Sequence, residues 1–115
     1  MFLPGGIMLH PSIKILPLLM PLLLALPAQA NDFTVAQKDK KFSQTKLEVK
    51  VGDVVNFKNE DPFSHNIFSL SDIKTFDLGS YPQGQSKSVT FDKPGTVEIE
   101  CSVHPDMKLI IEVKK

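Results

Sequence analysis

The chain of 115 residues contains no arginine; its 13 basic residues are all lysines. They form no stripe, and a protein that grips nucleic acid usually shows one, so nucleic acid is excluded as a partner. Cysteine is almost absent as well. Cys101 stands alone, so no disulfide can form within the chain, and its thiol must be paired between chains, free or ligated. A membrane span is missing too: the apolar run over residues 15–26 falls short of the roughly 20 residues a span needs. Pro17, Pro21 and Pro27 punctuate that region, and proline breaks helices.

What stands at the amino end instead is the pattern of an export signal. Lys14 precedes the apolar run and Ala28-Gln29-Ala30 follows it as a small-x-small cleavage site. Either Met1 or Met8 serves as its start. The expected organisation is a signal peptide over residues 1–30, removed after Ala30, and one domain over residues 31–115. That predicts a periplasmic protein with no stable membrane insertion once the signal is gone. The 85 residues left suffice for a single small core. Their net charge is −1, from 12 lysines against 13 acidic residues, which says little about partners.

Cleavage also thins the inventory of metal-ligating side chains. His10, Met1, Met8 and Met20 leave with the signal, so residues 31–115 keep two histidines, His65 and His104, one methionine, Met107, and one cysteine, Cys101. Three of these four fall in one heptapeptide, Cys101-Ser102-Val103-His104-Pro105-Asp106-Met107. Thiolate, imidazole and thioether together suit copper, and a trigonal His₂Cys site with a weak axial Met is the blue-copper arrangement. His65 is then the one residue left to supply the second imidazole. Zinc also accepts Cys and His, but a Met ligand argues against it.

The rest reads as β structure. Alternation of apolar and polar residues predicts strands over 33–37, 47–51, 54–58, 87–91, 96–101 and 107–113, with turns at 38–41, at Gly52-Asp53 and at 92–95. A further strand is expected over 66–70, interrupted by a bulge or a loop exit, and Phe42 as a core plug. Residues 71–84 read as a covering loop, with at most one helical turn near its start. Period-two alternation puts Cys101 on the inward face at the end of its strand and makes Met107 the first inward residue of the last one. His104 falls at the tip of the loop between them. Short strands and tight turns point to an all-β sandwich.

With His65-Asn66 upstream and residues 91–95 before it, the segment 96–113 resembles the cupredoxin (blue copper) family. The short Cys-x-x-His-x-x-Met loop is similar to that of amicyanin and small plastocyanin-like exported proteins. The resemblance implies an eight-stranded Greek-key sandwich holding one copper ion, cycling between Cu(I) and Cu(II), at one end. It implies His65, Cys101 and His104 as equatorial ligands and Met107 as the axial one. It further implies that the Asn66 side chain ties the two ligand loops together, where the alternative is an ordinary turn residue. Two residues depart from the amicyanin-like pattern: Asp106, where an apolar residue is common, and Ser64 before His65.

The function expected is that of a monomeric electron carrier, not an enzyme, serving redox partners of the cytochrome or dehydrogenase type. Electrons would pass through the His104 edge within an apolar patch. Pro105 and Phe63 are candidates for that patch, Phe63 being equally suited to the core. The alternative is a copper carrier that uses the same His-Cys-His-Met set for delivery. A structural sandwich with a coincidental Cys-His-Met triple would leave the complete ligand inventory unexplained.

Overall fold

Side chains that alternate between core and solvent mark most of the nine strands among the described residues. A computed structural model describes residues 29–115; residues 1–28, and with them most of the expected signal segment 1–30, lie outside the described residues. The strands are β1 (Asp32–Lys38), β2 (Lys41–Phe42), β3 (Lys46–Lys50), β4 (Val54–Asn59), β5 (His65–Ser69), β6 (Phe76–Tyr81), β7 (Ser86–Thr90), β8 (Gly95–Cys101) and β9 (His104–Lys114). In β3, Leu47 and Val49 turn inward between exposed Lys46, Glu48 and Lys50. In β8, Val97, Ile99 and Cys101 do the same. This is the period-two signature of a sheet with one face buried.

Two sheets result, ordered β2-β1-β4-β7 and β3-β9-β8-β5-β6. The chain changes sheet between β2 and β3, β3 and β4, β4 and β5, β6 and β7, and β7 and β8. The pairs β1–β4 and β3–β9 are therefore parallel, while the hairpins β5–β6 and β8–β9 are antiparallel. Phe57, Ile67, Phe91, Ile99, Leu109 and Ile111 are essentially sealed between the sheets. Burying one such side chain contributes about 1.5–3 kcal/mol. The sandwich is the all-β fold that the sequence predicts.

Seven of the nine strands match the expected ones to within a residue or so at most ends; β2 and β6 are additional. The bulge expected after His65 is present as a register shift between Asn66 and Phe68. Residues 71–84 are not wholly a loop, since β6 runs through their second half. β9 also starts earlier than expected: His104 pairs with Cys101 across the turn, so His104 opens a strand and does not sit on a free loop tip. No helix among the described residues is long and apolar enough to cross a membrane.

Candidate metal centre

Three adjacent strands of the five-stranded sheet bring the donors together. His65 opens β5, Cys101 closes β8 and His104 opens β9. β5 and β8 are locked by the pairing of Ile67 with Cys101, and β8 and β9 by that of Cys101 with His104. A further backbone bond, from the Ser102 N–H to the Asn66 carbonyl at 3.0 Å, ties the turn after Cys101 to the strand bearing His65. The two ligand segments are thus joined through the Asn66 main chain. Its side-chain Oδ1 is buried with no hydrogen-bond partner, so the side-chain tie that the resemblance implies is replaced by a main-chain one.

The donor atoms of His65, Cys101 and His104 all lie within 4.8 Å of one another. Nδ1 of His65 is 3.6 Å from Cys101 Sγ and Nδ1 of His104 is 3.7 Å from it. Donors bound to one ion at about 2.0 Å for nitrogen and about 2.3 Å for sulfur, as in zinc sites, have such separations at angles between tetrahedral and trigonal. Met107 is buried on β9 and lies close to the other three. Two imidazoles, one thiolate and one thioether with little water access form a donor set that fits copper.

The tautomer of His65 is fixed from behind. Its Nε2 is 2.7 Å from Asp61 Oδ2, both groups being buried. A carboxylate only accepts, so Nε2 carries the hydrogen and Nδ1 presents its lone pair toward Cys101. Asp61 also accepts the N–H groups of Asp39 at 2.6 Å and Lys40 at 3.1 Å. Burial pushes its carboxyl up, but the hydrogen bonds from His65, Lys40 and Asp39 outweigh this and hold it below the usual range. Asp39 and Lys40 both sit at positive φ, 53° and 58°, the conformation of a tight two-residue hairpin turn. Asp61 thus clamps that turn, between β1 and β2, to a candidate ligand on the other sheet.

Asn59 places Asp61. Its side-chain Oδ1 accepts the Asp61 N–H at 2.8 Å, while its Nδ2 donates to the carbonyls of Phe63 and Tyr81. The sequence showed residues 59–62 only as a polar loop. The available signal was an Asn two residues before an Asp-Pro pair, a turn-forming combination. Phe63, left open between core and surface, is 37% exposed and its ring centroid is 5.4 Å from those of both His65 and His104. It covers the imidazoles from outside.

His104 alone among the donors is partly open. It borders a surface groove of about 370 Å³ with Val103, Pro105, Asp106, Lys40 and Lys41. Burial, with the nearby His65 and Lys40, lowers its pKa and favours the neutral ring a metal requires.

Comparison with known proteins points the same way. The family described as copper binding proteins, plastocyanin/azurin family, matches residues 29–114. Methylamine utilization protein MauL of Methylorubrum extorquens is 30% identical over 90 residues, 77% of this chain and 79% of that protein. Amicyanin of Paracoccus denitrificans is 31% identical over 77 residues, 63% of this chain and 59% of that protein. A solved structure of an amicyanin variant in its reduced Cu(I) form superposes with a TM-score of 0.67 at 27% identity, over 78% of this chain and 88% of that one. A copper-containing nitrite reductase from Thermus scotoductus gives 0.68 at 32% identity over 73% of this chain, which spans only 22% of the enzyme.

Proposed function

The chain belongs to the plastocyanin/azurin family of copper-binding proteins, and we propose that it carries single electrons between redox proteins through one copper ion held by His65, Cys101, His104 and Met107. The observation that carries this reading is the convergence of three donors, within 4.8 Å, from three neighbouring strands of one sheet. Copper, when bound, supplies the one-electron Cu(I)/Cu(II) couple. The chain supplies the rest. Strand pairing holds Cys101 and His104 in fixed register, and Asp61 holds the His65 ring, so the donors have little freedom to rearrange. Phe63 shields the two imidazoles, and half-buried His104 offers the route to a docked partner beside Val103 and Pro105.

The reading is of a carrier and not an enzyme, because Asp61, the carboxylate against the donors, is already engaged by three hydrogen bonds and is not free as a base. Its partners are redox proteins of the dehydrogenase or cytochrome type, in keeping with a relative named for methylamine utilization. We read residues 1–30 as a signal removed after Ala30, leaving a monomeric periplasmic domain. The test is a visible spectrum of the exported protein with one equivalent of Cu(II). An intense blue band that bleaches on reduction and returns on oxidation is expected. Copper held only as Cu(I) and passed rapidly to a chelator would instead support delivery, a role that the burial of Met107 argues against.

A further inference from the structure

Asn31 lies just before β1, at the end remote from the candidate donors, roughly 25 Å along the strand from the turn that Asp61 clamps. Its N–H donates to Asp53 Oδ1 at 2.9 Å, and its carbonyl accepts the Val54 N–H at 2.9 Å. Asp53 is 2% exposed, and its other oxygen accepts the Lys50 N–H at 2.7 Å. No lysine side chain lies within ion-pair distance of it among the described residues. The buried carboxylate is met by two backbone amides, with the Lys50 charge acting only from beyond ion-pair distance. This is an incomplete arrangement, since a buried charge is best met by an opposite one in contact.

The cleavage expected after Ala30 falls on the very bond whose nitrogen touches Asp53. Ala30 and Asn31 are both exposed, and an open groove of about 340 Å³ runs beside Asn31, Phe33 and Asp53. We propose that signal removal completes this site, the newly freed α-ammonium of Asn31 forming an ion pair with the Asp53 carboxylate that fastens β1 in the mature protein. Hydrolysis of the Ala30–Asn31 amide by an export signal peptidase consumes one water. It leaves a carboxylate on Ala30 and an ammonium on Asn31. The nitrogen keeps its hydrogen bond and gains a charge where the acceptor already waits. The remaining charged residues lining the groove are Glu48, Lys50 and Lys114. Amide bonds from Asn31 and then Lys50 already hold the Asp53 carboxyl below its ordinary range.

The proposal rests on cleavage after Ala30, and the test separates the two. The full chain, and the same chain with one alanine inserted after Ala30, are exported and purified with copper, and intact mass reports the amino-terminal residue of each. A wild-type mature form not starting at Asn31 overturns the link to processing. With cleavage confirmed, the form carrying the extra alanine has its ammonium displaced by one residue and should melt roughly 4–8 °C lower, the shift expected for losing one modest interaction in a domain of this size. Equal melting temperatures overturn the ion pair. In an Asp53→Asn background the insertion should have no effect. Because Asp53→Asn also removes an acceptor that holds the turn together, ¹⁵N NMR of the wild-type Asn31 amine gives a second readout. Its pKa should lie above the ordinary value of about 8, and a value at or below 8 overturns the proposal.

Discussion

Asp61 shows how much one side chain outside the donor set contributes. Its two oxygens accept three N–H groups, two from the strained turn at Asp39-Lys40 and one from His65. Asp61→Asn replaces one acceptor with a donor, leaving either the Asp39 N–H or the Lys40 and His65 N–H groups unsatisfied. An unmet buried donor costs about 1–3 kcal/mol. Losing the carboxylate behind a ligating imidazole typically weakens metal binding about 10–100-fold. We expect a folded protein by circular dichroism, with copper affinity reduced in that range and the reduction potential raised, because removing a negative charge disfavours Cu(II). Cys101→Ala should abolish the blue band, while Met107→Ala should keep copper and shift the potential; an unchanged spectrum in Cys101→Ala would place the thiolate outside the site. The four candidate donors could be picked from the sequence because residues 31–115 hold no spare His, Cys or Met. Asp61 could not, since Asp61 and its neighbour Glu60 look alike in sequence and only the fold selects which one meets His65.

Apart from the two-residue β2, β6 is the element the sequence concealed. It lies at the edge of its sheet and pairs only with β5, so its pattern is bound by one neighbour instead of two. Gly79 sits within it, and its partner strand is bulged, which spoils the alternation that made β3 and β8 readable. Just upstream, Ile73 folds over the start of β8, where a Cβ on Gly95 would stand 2.7 Å from Ile73 Cδ1. Gly95 also has φ +138°, a conformation L side chains rarely adopt. The terminal methyl of Ile73 can move aside, so the backbone sets the penalty: Gly95→Ala should cost more than the gain of about 0.4–1 kcal/mol that Ala brings at a permissive site. Denaturant unfolding should show a lower midpoint with an unchanged slope. A midpoint at or above wild type would mean that β8 starts in a different conformation.

For the molecule as a whole, stability is distributed between two ends of the sandwich. At the Asn31 end, Asp53 has a depressed pKa, caused first by the Asn31 amide and then by the Lys50 amide. A depressed folded value means stability that is fully present above the unfolded pKa of about 3.9 and lost as pH falls through the lower folded one. The stability gap between wild type and Asp53→Asn should therefore be widest near neutral pH and shrink in acid. Unfolding curves measured from pH 7 down to pH 2 check it, and a gap that is constant with pH would show that the Asp53 charge contributes nothing.

At the other end, the candidate donors are so placed that copper binding would be coupled to folding. Cys101, His104 and Met107 are near neighbours in the chain, so an unfolded molecule retains a short soft-ligand peptide. His65 is 36 residues from Cys101 and reaches it only once β5 pairs with β8. With the proposed ligand set, the folded state would bind through four donors and the unfolded state through three at most. A ligand that prefers the folded state stabilises it by about 4 kcal/mol at a thousandfold excess over Kd, less whatever the unfolded chain retains. For a domain of this size each kcal/mol is worth roughly 4–8 °C. Copper should raise the melting temperature by ten degrees or more on that scale, and a chelator should reverse the rise. His65→Ala isolates the long-range donor: the variant should still take up Cu(I) through the heptapeptide, yet gain much less thermal stability from it, since folded and unfolded states then offer the same three donors. Equal stabilisation of wild type and His65→Ala would show that the heptapeptide alone holds the metal and that the pairing of β5 with β8 plays no part in building the site.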